Sequence, residues 1–109
     1  MCFIKKYKIK ALGLENYKNY RTYNLSFSKL LYRTHFIKIS SKNNPRNIVI
    51  YIEKNKGNVT YDFEINGNSE RQEIIDKVTL QVPPNSVGKL KVKFNGFSGT
   101  TGIFIQKKK

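Results

Sequence analysis

The chain has 109 residues, 39% of them hydrophobic and 13% aromatic, with a formal net charge of +14. That length supports one domain, residues 1–109, with a core of its own, and no apolar run is long enough for a transmembrane segment. A single cysteine, Cys2, excludes an internal disulfide and a cysteine zinc site, and the opening Met-Cys-Phe-Ile-Lys-Lys lacks the apolar stretch of a signal peptide, which fits a cytosolic protein or a mature fragment alike.

Period-two alternation dominates the chain. Phe3, Tyr7, Ile9 and Ala11 predict a first strand whose opposite face carries Lys6, Lys8 and Lys10. Gly13 to Arg21 reads as an irregular linker, and Tyr23, Leu25 and Phe27 as the apolar side of a second strand. Leu30 to Ile39 is a third run of ambiguous register, and Ile48, Ile50 and Ile52 form a fourth stripe. Lys56-Gly57-Asn58 predicts a hairpin into a fifth strand, where Val59, Tyr61, Phe63 and Ile65 turn inward and Thr60, Asp62 and Glu64 face water. Asn66-Gly67 closes that strand. Ser69 with Gln72 fits a capping box, so Glu70 to Asp76 is a candidate short helix. Val78, Leu80 and Val82 form a sixth strand that Pro83-Pro84-Asn85 ends, because proline cannot continue an interior strand. Leu90, Val92 and Phe94 form a seventh, alternating with Lys89, Lys91 and Lys93. Asn95-Gly96 and Gly99-Thr100-Thr101-Gly102 lead to an eighth, with Ile103 and Ile105, and Lys107-Lys108-Lys109 reads as a solvated end. About eight short strands imply an all-β protein: an antiparallel β-sandwich, jelly-roll or immunoglobulin-like, with a small β-barrel as the alternative.

The charge is uneven. Residues 1–50 hold 11 Lys and Arg against one acid, residues 51–88 hold 4 against 6, and residues 89–109 hold 6 against none. Basic ends flanking a mildly acidic middle attract polyanions: nucleic acid or an anionic surface polymer. Two other accounts stand beside this one. A chain rich in Lys, Asn, Ile, Tyr and Phe also reflects AT-rich coding, and only four of the 21 cations are Arg, the side chain best shaped for phosphate. Lysines also guard exposed sheet edges against aggregation.

Catalytic chemistry finds little support. His35 is the sole histidine and sits in an apolar run without a carboxylate or nucleophile near it in sequence. Asp62 and Glu64 share a strand face, with Glu53 a candidate neighbour, and read as a solvated acidic face rather than a paired-carboxylate or calcium site. No spacing matches a metal-ligand or phosphate-loop motif, so neither metal nor cofactor is expected. The segment Tyr17-Lys18-Asn19-Tyr20-Arg21-Thr22-Tyr23 interleaves rings with cations, as single-stranded nucleic acid or sugar binding requires; the plainer account is that its tyrosines pack a loop onto the core.

The sequence therefore predicts a non-enzymatic binding module whose basic surface engages a polyanion or an acidic protein face. The candidate residues are Lys6, Lys8, Lys10, Lys89, Lys91 and Lys93, with Tyr17, Tyr20 and Arg21 as stacking partners. A carbohydrate- or cell-surface-binding module and a structural, homo-oligomer-forming β-sandwich are the alternatives.

Overall fold

The computed structural model describes residues 6–106. Within them one helix, α1 (Lys6–Ala11), precedes six strands: β1 (Tyr17–Leu25), β2 (Leu31–Ser40), β3 (Arg46–Ile65), β4 (Asn68–Glu73), β5 (Lys77–Val82) and β6 (Val87–Gln106). The protein is all-β, and every strand pairing among the described residues is antiparallel within one continuous sheet.

The sheet is organised by a ribbon of two 20-residue strands, β3 and β6, paired along their whole lengths. Other strands attach to opposite halves of it. In one half, β1 lies on β6 opposite residues 99–106 and β5 lies on β3 opposite residues 46–51. In the other half, β2 pairs with β6 over 87–97 and β4 pairs with β3 over 60–65. The halves meet where the ribbon register slips, between Lys54 and Asn58 on β3. Gly57 and Gly99 lie there at positive φ (82° and 136°), and each runs so close to the other strand that a Cβ would overlap a carbonyl oxygen, that of Gly96 or Glu53. Only glycine permits both the dihedral and the approach.

The inward stripes of both halves fall in one core. Ile48, Ile50, Ile52, Val82 and Ile103 of the first half cluster with Val59, Tyr61, Phe63, Leu90, Val92 and Phe94 of the second. Tyr23 of β1 meets Phe94 edge-on at 5.0 Å between ring centroids, and Phe97 lies 5.5 Å beyond it.

Several expectations are corrected. Residues 6–11 are helical rather than extended, and Phe3 lies outside the described residues. Six residues are marginal for an isolated helix, so packing holds this one. Leu14 N–H donates to Ile9 C=O (2.9 Å) and Gly13 N–H to Lys10 C=O (3.0 Å), the Schellman ending, with Gly13 at φ 72°. This turn presses Ile9, Leu12 and Leu14 onto Val49, Phe104, Tyr17 and Tyr51, a second small core on the outer face of the first half. The stretch after Gly13 is not irregular through Arg21, because β1 begins at Tyr17. Lys56-Gly57-Asn58 makes no hairpin, since β3 runs through it, and β6 likewise runs through Asn95-Gly96 and Gly99. Two pairs of expected strands are thus fused and one is helical, which leaves five, and β4, where no strand was expected, makes six. The candidate helix at Glu70–Asp76 is instead mostly β4, joined to β3 by Asn66 and Gly67, both at positive φ as a tight hairpin demands. Lys107 to Lys109 lie outside the described residues.

Candidate functional site

Strand order and charge coincide. Within the second half the strands lie in the order β2, β6, β3, β4. Residues 16–52 contain no Asp or Glu, nor does β6, whereas β3 and β4 carry Glu53, Asp62, Glu64, Glu70 and Glu73. Two acid-free strands therefore adjoin two that bear acids, and the sheet is polarised across its width.

Side-chain alternation turns this order into columns on the outer face. On β2, His35, Ile37 and Ile39 are buried, so Tyr32, Thr34, Phe36 and Lys38 point away from the core. On β6, Leu90, Val92 and Phe94 are buried and Lys89, Lys91 and Lys93 are exposed. The register sets Thr34 opposite Lys93, Phe36 opposite Lys91 and Lys38 opposite Lys89. Across the other side of β6, Lys93, Lys91 and Lys89 face Thr60, Asp62 and Glu64. A β2 column of Tyr32, Thr34, Phe36 and Lys38 thus lies beside the lysine column, with Thr60, Asp62 and Glu64 behind it.

Phe36 stands 67% exposed and Tyr32 69%. The Lys91 ammonium sits 5.6 Å from the Phe36 ring centroid, and the Tyr32 ring lies over Gly96, where a Cβ would come within 3.2 Å of its hydroxyl. Lys38 and Lys89 are like charges directly opposed in the ladder, a placement that costs about 0.2–1 kcal/mol. Arg71 of β4 pairs with Asp62 at 3.1 Å and so draws on the acid that also faces Lys91. Two shallow depressions flank the Phe36–Lys91–Asp62 row. One, of about 410 Å³, is lined by Lys38, Glu64 and Lys89 among others, and one of about 480 Å³ by Thr34, Thr60, Arg71 and Lys93.

The sequence-predicted residues divide. Lys89, Lys91 and Lys93 form the row expected of them. Lys6, Lys8 and Lys10 do not join it, because they belong to α1, which packs on the other half of the sheet. Lys8 is ion-paired with Glu53 beside the Tyr51 ring. That hydrogen bond is the main reason the Lys8 ammonium is pushed above its ordinary pKa and the Glu53 carboxyl is held below its own. Lys10 is exposed. Tyr17 packs in the small core under α1, the plainer of its two expected roles. Tyr20 is 46% exposed, at the β1 bulge, its ring centroid 5.7 Å from that of His35. Arg21 lies 5.8 Å from the Tyr23 ring.

His35 is buried at this β1–β2 edge, and its Nε2 has no hydrogen-bond partner among the described residues. Burial chiefly, then the charges of Arg21 and Arg33, hold its pKa below the usual value. Among the described residues no group of His, Cys, Asp and Glu is arranged to hold a metal, and no helix is long and apolar enough to cross a membrane.

Sequence reading missed Tyr32, Phe36 and Lys38. Their signal was the alternation within residues 32–38, which is legible once the register of that run is fixed by its buried partners His35, Ile37 and Ile39. No protein-family model matches this chain, and no curated protein matches it.

Proposed function

We propose that this protein is a non-enzymatic binding module that holds an extended polyanion along the β2–β6 seam of its outer face. The observation that carries this reading is the lysine column, Lys89, Lys91 and Lys93, bounded by acids on its β3 side and by an acid-free strand on its β2 side. An anion approaching from β3 meets Asp62 and Glu64; one lying over β2 meets Lys38 in addition to the column. A bound anionic group between Lys38 and Lys89 relieves the repulsion built into that pair. Among the described residues, all four exposed large aromatic side chains, Tyr20, Phe27, Tyr32 and Phe36, belong to β1, β2 or their connection, the same acid-free limb.

The non-enzymatic reading draws support from the surroundings of His35, which are an aromatic ring and two guanidinium groups rather than a carboxylate. The folded sheet is read as a β-sandwich, since the inward stripes of both its halves share one core.

Binding of a labelled polyanion, followed by fluorescence anisotropy across a salt series, tests the function. Affinity that falls steeply as salt rises supports it, because counterion release drives such binding. A neutral polysaccharide bound with no salt dependence would replace it with the carbohydrate reading. Absence of polyanion binding at low salt would refute it.

A further inference from the structure

We infer that the polyanion is single-stranded nucleic acid, its phosphates on the lysines of β6 and its bases on the rings of β2. This inference rests on the polyanion reading above and adds the chemistry of the repeating unit.

The two columns run side by side in ladder register, Thr34 with Lys93, Phe36 with Lys91 and Lys38 with Lys89. Tyr32 and Phe36 are four residues apart on one strand, and so are Lys89 and Lys93, so each column extends about 13 Å. A polymer lying along this seam meets three lysines on the β6 side and, on the β2 side, Lys38, the Phe36 ring, Thr34 and then, at the register slip between Leu31 and Arg33, the Tyr32 ring over Gly96. The repeating unit that complements it carries its anion on one flank and a flat, weakly polar face on the opposite flank. A nucleotide has that build. A sulfated sugar spreads its anions around the ring and offers no comparable face, and an acidic peptide offers a carboxylate with no ring.

The acidic column fixes the orientation. Asp62 and Glu64 lie on the β3 side of the lysines and repel phosphate there, so the backbone settles over the β6–β2 side and its bases fall toward Phe36 and Tyr32. Duplex is disfavoured by the same rings. Phe36 and Tyr32 stand 67% and 69% exposed from the rim of the sheet, and their faces gain only from a base whose own face is free. In a duplex the base faces are stacked against one another. Ring-to-base stacking is also indifferent to base identity, so the preference is for strand state rather than sequence.

The test uses the full chain and three labelled probes: an oligothymidylate of about ten nucleotides, the same length as duplex, and a heparin fragment. Anisotropy titrations at fixed low salt compare the native protein with Phe36→Ala, Tyr32→Ala and Lys91→Gln. Both aromatic substitutions are at exposed positions, and circular dichroism checks that each variant keeps its sheet. The expected result is single strand bound more tightly than duplex or heparin. Phe36→Ala should cost roughly 5- to 150-fold on the single strand, with Tyr32→Ala in the same direction, and neither should alter heparin binding. Lys91→Gln should weaken every probe that binds. Single-strand affinity unchanged in both aromatic variants, or duplex or heparin bound as tightly as the single strand, would overturn this inference and leave the polyanion reading intact. If none of the three probes binds, both readings fall.

Discussion

At the register slip in the β3–β6 ribbon the two strands run close together at glycine, and Gly99→Ala probes that approach directly. Gly99 sits at φ 136°, a region that L side chains rarely adopt, and a Cβ there would overlap the Glu53 carbonyl oxygen and lie 3.0 Å from the Asn55 nitrogen. The dihedral alone costs an alanine about 1–2 kcal/mol. The obstruction is backbone, which cannot swing aside as a flexible side chain can, so relieving it requires the two strands to part and adds about 1–3 kcal/mol, as overpacking does. The sum, ~2–5 kcal/mol, is a large share of the roughly 5–15 kcal/mol that stabilises a domain. Gly67→Ala is the internal control. Gly67 also has positive φ, 82°, but a Cβ there meets nothing within 4 Å, so only the dihedral cost applies. Urea unfolding compares a positive-φ glycine in a close approach with one in open space. With a slope of about 1–3 kcal/mol/M, the Gly99→Ala midpoint should fall about 1 M below that of Gly67→Ala. Coincident midpoints for the two variants would show that the ribbon tolerates a side chain at its register slip and that β3 and β6 do not approach so closely at Gly99.

Four further outcomes are expected. Replacing Lys89, Lys91 and Lys93 together with Gln should flatten the logarithmic salt dependence of single-strand binding by about 2, at about 0.7 for each phosphate that is no longer neutralised; an unchanged slope would move the phosphates elsewhere. Phe94→Ala removes a 1%-exposed ring that touches both Tyr23 and Phe97, and should cost about 3–5 kcal/mol in urea unfolding; a loss under about 1 kcal/mol would mean that the inner faces do not meet there. His35 has its pKa lowered in the fold, so the unfolded chain takes up the proton more readily. The stability this group contributes is complete above the ordinary value of 6.5 and is lost as pH falls below it, and His35→Phe should flatten that dependence; identical pH profiles for the two proteins would contradict the assigned burial. Tyr61, buried and donating to Glu70 at 2.8 Å, is pushed up to about 12, chiefly by burial and next by that carboxylate, so ultraviolet titration should show a late-ionising tyrosine whose midpoint drops in Glu70→Gln.

The inward stripes were legible because burial on one face leaves a period-two trace whatever lies beside the strand. Ile48, Ile50 and Ile52, then Val59, Tyr61 and Phe63, then Leu90, Val92 and Phe94 all fall in the core as their alternation implies. What alternation could not show was continuity. Glycine between two stripes marks either a turn or a bulge, and Lys56-Gly57-Asn58 has the composition of both. The choice was made by β6, whose own Gly96 and Gly99 lie opposite the same stretch and let the two strands pass close together through the slip. That is a pairing of residues about 40 apart in sequence, and no local pattern records it. Residues 6–11 failed for a different reason. Tyr7, Ile9 and Ala11 satisfy period two, but the segment ends in Ala-Leu-Gly-Leu, whose glycine and following leucine make a Schellman cap, and Ile9 and Leu12 then share a helical face on Val49 and Phe104.

The candidate site shows the same division between what a strand carries and what stands next to it. Lys89, Lys91 and Lys93 were evident as a row, yet a row of lysines has no meaning until its flanks are known. Had the basic N-terminal segment formed the flanking strand, the face would have been a broad field of like charge, held apart by repulsion and selective for nothing beyond charge density. Instead β3 supplies Asp62 and Glu64 on one flank and β2 supplies Phe36 and Lys38 on the other. Under the proposed function, the acids on the first flank narrow the attractive strip to the β2–β6 seam, and the ring on the second gives that strip something to recognise besides charge. Lys8, meanwhile, is held by Glu53 on the opposite half, where it helps fasten α1 over Val49 and Phe104. A chain of net charge +14 thus places its lysines in at least two settings, and under the proposed function it is the set beside the exposed Phe36 ring that faces a partner.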